Sequence, residues 1–130
     1  MSLKYGFGKT VQRTFDDALG SVTAALQQEG FGILSDVDVA ATLKKKLGED
    51  MPPYRILGAC NPPLAHRAVT IEPSIGLLLP CNVVLRQAPT GTVHVEVMNN
   101  EVVLQLVGNP EIAALAQDVR RRLDRVLAAV

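Results

Sequence analysis

The spacing of hydrophobic residues predicts two long amphipathic helices, one near each end of the chain. Apolar side chains recur every three or four residues over 14–29 and over 110–129. Thr14 can cap the first helix, and Gly30 supplies the left-handed conformation that often ends one. Asn109-Pro110 is a typical start for the second helix. The two helices therefore enclose most of the sequence between them.

Between these helices the pattern indicates short strands separated by short helices. One short helix is predicted over 39–47 after Asp38, and another is opened by Asn61-Pro62-Pro63. Pro80 marks an edge, a bulge or a break in the strand that contains it. The segment 101–107 fits either a strand or a helix. The predicted strands are 3–12, 31–37, 54–59, 75–87 and 92–98.

This order of elements predicts an α+β fold. A strand, a long helix, several strands with short helices between them, and a terminal helix favour an antiparallel or mixed sheet of about five strands. The helices at 14–29 and 110–129 are expected to cover one face of that sheet. A regular alternation of strand and helix is missing, which disfavours a doubly wound parallel sheet. The length of 130 residues fits a single domain, 1–130.

Composition and charge narrow the classes of partner. Lys plus Arg equals Asp plus Glu at 13 each, and the chain has two Tyr, three Phe and no Trp. A neutral chain with few rings predicts no nucleic-acid partner. No apolar run is long enough to cross a bilayer, so no membrane partner is expected. Two cysteines and no visible secretory signal predict a reducing, cytoplasmic location.

Two Cys-Asn pairs are the sharpest candidate site. Cys60-Asn61 and Cys81-Asn82 each lie beside a proline and at the end or break of a predicted strand. Cys60 also precedes a predicted helix N-terminus, where backbone N–H groups would favour the reactive thiolate. The hypothesis is that both pairs meet at one pocket, where the asparagine amides orient a polar ligand and His66 accepts a proton at the rim.

Simpler interpretations stay open for each of these residues. An unpaired cysteine is often a small buried hydrophobic residue, and a single histidine on a short helix is often half-exposed. Cys60, His66 and Cys81 supply three zinc ligands where a structural site needs about four, without supporting spacing. No metal and no cofactor is therefore predicted. Whether the chain is an enzyme, and which residues would be catalytic, stays open.

Other polar groups have ordinary explanations. Asp36 and Asp38 could form an acid–base pair or bind a cation, but Asp38 is also the expected helix cap. The stretch 6–10, GFGKT, lacks the spacing of a phosphate-binding loop and lies within a strand pattern. The arginines of 120–125 are interpreted as a solvated helix face that suits the helix dipole.

Several of these segments together resemble the bacterial and archaeal family called domain of unknown function 302. The most specific parts are ACNP and LLPCN, with the short helix between them. One departure is 98–100, Met-Asn-Asn, where an Asp-Pro-like turn is expected in this family. The resemblance covers nearly the whole chain and is carried by 30–31, 36–39, 47–48, 54–62 (YRILGACNP), 64–68 and 76–82 (GLLLPCN).

The resemblance implies a two-layer β-α-β(4)-α domain of the TATA-binding-protein-like class and a homodimer. It implies no DNA binding, because function lies in sites and not in folds, and it supplies no activity. Two classes of function therefore stay open. One is a homodimeric small-ligand-binding or thiol-dependent protein with its site near the two Cys-Asn pairs. The alternative is a non-catalytic dimeric protein-interaction module.

Overall fold

The computed structural model describes residues 3–130, which form an α+β fold as expected. The sheet has five strands in the order β1-β5-β4-β3-β2, and each neighbouring pair is antiparallel. No helix of the described residues is long and apolar enough to cross a membrane. The strands are β1 Gly6–Val11, β2 Gly32–Asp38, β3 Tyr54–Cys60, β4 Cys81–Gln87 and β5 Val93–Met98. The helices are α1 Phe15–Gln28, α2 Val39–Leu47, α3 Pro62–Ile71, α4 Asn100–Val103 and α5 Pro110–Ala129, with 3-10 helices at Pro73–Leu78 and Leu104–Val107.

Side-chain caps fix the starts of the helices. The Thr14 hydroxyl accepts a hydrogen bond from the Asp17 N–H at 3.2 Å, and this bond begins α1. Asp38 caps α2 in the same way through the Ala41 N–H at 2.9 Å. Asn109 caps α5. Each cap satisfies a backbone donor that has no partner inside the helix, so these three predicted starts are confirmed.

The main core lies between one face of the sheet and the two long helices. Alternate residues of β4 and β5 turn inward, and they pack against the apolar stripes of α1 and α5. Burial of this surface supplies the main driving force for folding. The largest fully buried members of this core include Leu26, Leu57, Leu85, Leu123, Val95 and Val126.

A second, smaller core lies beside the first. It joins α3, the two 3-10 helices and the start of α5, with Ala68, Ile75 and Leu104 among its buried residues. Ile112 and Leu115 supply the α5 side. The first turns of α5 therefore serve this core, whereas the later turns serve the main one.

The predicted strand over 75–87 is wrong in its first half. Pro73–Leu78 is a 3-10 helix, and β4 begins only at Cys81. Ile75, Leu78 and Leu79 of this apolar run pack into the second core without joining the sheet, whereas Leu77 is exposed. Pro80 has no N–H to donate to a neighbouring strand and separates the two elements.

One further strand is shorter than predicted, and the segment that the sequence left open between strand and helix is helical. The first strand is Gly6–Val11, shorter than the predicted 3–12. The ambiguous segment 101–107 is helical, because α4 and the second 3-10 helix occupy it. Leu104 packs into the second core while Leu106 is exposed, a pattern that does not suit a strand, in which residues two apart share a face.

The open face is the surface of the sheet that points away from the main core. It follows from the strand register, in which Val37, Ile56, Val84, Glu96 and Gly8 form a row across all five strands. These residues alternate with the inward-facing ones, so they lie on the opposite side of the sheet.

Gly8 tests the close approach of β1 and β5. A Cβ added at Gly8 would clash with the backbone oxygen of Val95 and lie 2.9 Å from the Cα of Glu96. The variant Gly8→Ala is therefore expected to lower the free energy of unfolding by about 1–3 kcal/mol. In Gly20→Ala an added Cβ on α1 meets nothing within 4 Å. That control is expected to gain about 0.5–1 kcal/mol. Urea unfolding of both variants measures the difference, and equal stabilities would contradict the register.

Candidate functional site

The main candidate site is a cavity of about 360 Å³ between the main and second cores. Its wall is built mostly of apolar side chains, including Phe31, Leu79 and Val119. Within residues 3–130, no Lys, Arg, His, Asp or Glu lines it. The polar residues of its wall are Cys60, Asn61, Cys81 and Asn100.

Pairing of β3 with β4 brings the two cysteine segments to this cavity. Ala59 lies opposite Cys81 in the register, and Cys60 is the last residue of β3. Adjacent residues of a strand point to opposite faces, so the two thiols do not stand opposite each other. Both cysteines are free.

Asn61 is placed at the cavity wall by its role as a helix cap. Its Oδ1 accepts a hydrogen bond from the Leu64 N–H at 3.3 Å, and the two prolines that follow it occupy the first turn of α3. An added Cβ at Gly30 would lie 3.0 Å from its Nδ2, so the amide nitrogen turns toward that loop. The predicted cap is confirmed.

Cys81 forms the central polar contact of the cavity. The Cys81 thiol donates to Oδ1 of Asn100 at 3.1 Å, and this hydrogen bond is buried. Asn100 itself is only 3% exposed, although it lies in the first turn of α4. A buried amide needs partners, and the thiol satisfies the oxygen of this one.

Burial determines the protonation state of this thiol. Removal from water raises the pKa of Cys81 from its usual 9.0 to about 12, because the interior disfavours the charged thiolate. Cys81 therefore stays protonated at neutral pH and acts as a hydrogen-bond donor. This protonated state removes the basis for Cys81 as a nucleophile.

The structure does not bring Asn82 to the cavity. Cys81 is buried and Asn82 is exposed, since successive residues of β4 face opposite sides of the sheet. Asn82 instead lines a depression of about 530 Å³ on the open face, beside Tyr54 and Arg86. The second Cys-Asn pair is therefore divided between the two faces of the sheet.

His66 also lies apart from the cavity wall. It is exposed on α3, while Ala65 and Ala68 of the same helix line the cavity. The structure thus gathers three of the five proposed site residues, Cys60, Asn61 and Cys81, and leaves His66 and Asn82 outside.

Asn100 is the site residue that the sequence prediction missed. It belongs to the Met-Asn-Asn segment that departs from the expected turn of the resembled family. Two consecutive asparagines after a strand read as a cap and a turn, and Asn99 does cap α4 through the Glu101 N–H at 3.1 Å. Nothing in the sequence pattern indicated that Asn100 would reach Cys81, which lies 19 positions earlier in the chain.

The other polar candidates are occupied by ion pairs. Arg55 donates to both carboxylate oxygens of Asp36, at 2.8 and 2.6 Å, and lies 3.6 Å from Asp38. Hydrogen bonding from Arg55 holds the pKa of Asp36 below its ordinary value. The two aspartates therefore do not form an acid–base pair. Among residues 3–130, no group of three or more His, Cys, Asp or Glu side chains could hold a metal ion.

The arginines of α5 contact other parts of the chain. Arg122 pairs with Asp118 at 3.2 Å and donates to the backbone oxygen of Glu29 at 3.1 Å. Arg120 lies over the Phe7 ring at 3.7 Å from its centroid. These contacts link α5 to the end of α1 and to β1, and they explain the basic helix face without an external anion.

The sheet, the two long helices and the partly open cavity define a small α+β domain with a largely apolar pocket. Comparison with known proteins places this domain more closely. The chain belongs to the family described as Domain of unknown function DUF302, whose model matches residues 7–130.

A solved structure shares this fold. The crystal structure of the uncharacterized conserved protein DUF302 from Bacillus stearothermophilus is 28% identical, with a TM-score of 0.88. The match covers 96% of this chain and 97% of that chain. A search of the curated proteins finds no match.

The protonation of Cys81 can be tested through stability. Below pH 9.0 the thiol is protonated in both the folded and the unfolded chain. As the pH rises from 9.0 toward 12, the unfolded thiol ionises and the buried one does not, so the free energy of unfolding falls. The slope above the unfolded pKa is about 1.4 kcal/mol per pH unit. Urea unfolding between pH 7 and 10.5 should show the native chain losing more stability than Cys81→Ala. Parallel profiles of the two proteins would contradict a buried thiol.

Proposed function

We propose that this chain is a small-molecule-binding protein whose ligand occupies the cavity between the two cores. The supporting observation is the cavity itself, at about 360 Å³ with a largely apolar wall and a few polar groups. Ligand sites usually measure about 300–1,000 Å³ and combine an apolar lining with a few placed polar groups. Apolar contact supplies the affinity, and the polar groups orient the ligand.

Binding is favoured over thiol chemistry at this site. Cys81 is protonated and already donates to Asn100. The wall also has no histidine or carboxylate that could act as a general base for either cysteine. The free thiols of Cys60 and Cys81 support a reducing compartment such as the cytoplasm.

The first test uses N-phenyl-1-naphthylamine, an uncharged probe whose fluorescence rises in apolar surroundings. The native protein should give a saturable rise. Ala65→Phe puts a ring into the cavity wall and should abolish it, since Ala65 lines the cavity from α3. Ala113→Phe on the exposed side of α5 is the control and should bind normally. Circular dichroism checks that both variants fold. No saturable rise in the native protein, or normal binding by Ala65→Phe, would contradict the proposal.

We also propose that two copies associate through their open faces. Val37 on this face is 46% exposed, and Ile56 and Val84 continue its apolar row. Arg86 and Glu96 pair at 2.6 Å on the same face. Because the two charges neutralise each other within one copy, two such faces can meet about a two-fold axis without burying an unpaired charge. The family resemblance also implies a homodimer, which supports a second copy of this chain as the partner.

The size of the face supports weak association. Strands of six or seven residues, in a sheet of five, give a flat area of roughly 20 by 20 Å. Two such faces would bury roughly 800 Å² or somewhat more, below the roughly 1,200 Å² of a standard specific interface and in the range of weak contacts. This face also carries the second candidate function, a protein-interaction module, in which the cavity would be only a packing feature.

Light scattering at high micromolar concentration tests the dimer. The native protein should have twice the monomer mass, and Val84→Lys should be a monomer, because a lysine at the centre of the interface would lose its water. Ala113→Lys is the control, since Ala113 is exposed on α5, which packs on the other face of the sheet. A native protein that stays monomeric, or a Val84→Lys dimer, would contradict this interface.

A further inference from the structure

The chemistry of the cavity wall limits what kind of ligand it can hold. Among the described residues that line it there is no Lys, Arg, His, Asp or Glu. A buried carboxylate, phosphate or ammonium group would therefore lose its hydration without a counter-charge, at a cost of several kcal/mol. Charged ligands are disfavoured, and neutral ones are favoured.

One polar group of the wall is available to a neutral ligand. Oδ1 of Asn100 is held by the Cys81 thiol, and its Nδ2 has no hydrogen-bond partner among the described residues. Among the described residues, one side-chain nitrogen or oxygen is both fully buried and without a hydrogen-bond partner. That atom is Nδ1 of His94. Nδ2 of Asn100 is not such an atom, and Asn100 is one of the residues that line the cavity.

This nitrogen can only donate hydrogen bonds. A donor on a residue that is 3% exposed needs an acceptor, either from water or from a ligand. A carbonyl oxygen is a neutral acceptor of suitable strength. The Cys81 thiol fixes the orientation of the amide, so Cys81 is a positioning residue and Asn100 is the contact residue.

The volume gives the size of the ligand. A dry apolar cavity of about 150 Å³ accommodates benzene. The cavity of about 360 Å³ is more than twice as large, so it suits a molecule of roughly 10–15 heavy atoms by the same ratio.

We infer that the cavity binds a neutral, mostly apolar carbonyl compound, such as a medium-chain ketone or aldehyde, whose oxygen accepts a hydrogen bond from Nδ2 of Asn100. This inference rests on the proposed function of the cavity. It adds that the ligand is uncharged, that it carries one strong acceptor, and that a single amide selects it.

Competition against N-phenyl-1-naphthylamine measures the selectivity for a neutral ligand. Decan-2-one should displace the probe, and decanoate at pH 7 should be at least tenfold weaker, because the carboxylate has no partner in the wall. Decanoate that competes as well as the ketone would overturn the inference. So would a bound probe that decan-2-one fails to displace. If the probe itself does not bind, the proposed function fails first, so the two failures are distinguishable.

Infrared spectroscopy of carbonyl-labelled decan-2-one measures the hydrogen bond directly. On the native protein the C=O band should lie at lower frequency than in hexane. Asn100→Leu should remove that shift and weaken binding about fivefold, the effect of one hydrogen bond. Asn99→Ser, whose hydroxyl can still cap α4, is the control and should keep both. An unshifted band on the native protein would overturn the inference even if Asn100→Leu failed to fold, and so would a shift that persists in that variant.

Discussion

A buried hydrogen bond between Cys81 and Asn100 connects the central strand to the chain segment that follows β5. The bond is 3.1 Å long and lies where the two hydrophobic cores meet. An unpaired polar group in such a place would cost about 1–3 kcal/mol. The thiol and the amide oxygen satisfy each other at low cost, so two polar residues can occupy an otherwise apolar wall.

The alternation of side chains along β4 gives the sheet two different surfaces. Cys81 and the residues that alternate with it face the cores, and Asn82 and its neighbours face outward. Ligand binding is proposed for the inner surface because it has depth and no charge. Association of two copies is proposed for the outer one because it is broad and carries an apolar row. The two roles use different residues, so they can be tested separately.

Much of the fold was predictable because local signals agreed with tertiary demands. Thr14 and Gly30 bracket a stripe of apolar residues, so α1 could be placed from spacing and capping alone. Asn109-Pro110 did the same for α5. The strand prediction over 75–87 was wrong in its first half. A continuous apolar run indicates burial, but it does not indicate which part of the core buries it. Its first half is buried in the second core instead of the sheet.

The candidate site was only partly predictable for a similar reason. Proline and asparagine near Cys60 and Cys81 correctly indicated strand ends, and these ends do meet at one cavity. The prediction grouped Asn82 with Cys81. Because β4 begins at Cys81, the two are successive strand residues and point to opposite faces of the sheet. The role of Asn100 depends on a contact across 19 positions of sequence. Pattern analysis of one chain gives no measure of such a contact.

Methyl chemical shifts during titration with decan-2-one test the central claim, that the cavity is the binding site, most directly. Selective labelling of Ala, Ile, Leu and Val methyl groups reports on both surfaces of the sheet in one experiment. The account predicts saturable shifts at Leu64, Leu115 and Val119, which line the cavity, and none at Ile56 and Val84 on the open face. Shifts confined to the open face, or no saturable shift at any methyl group, would contradict it.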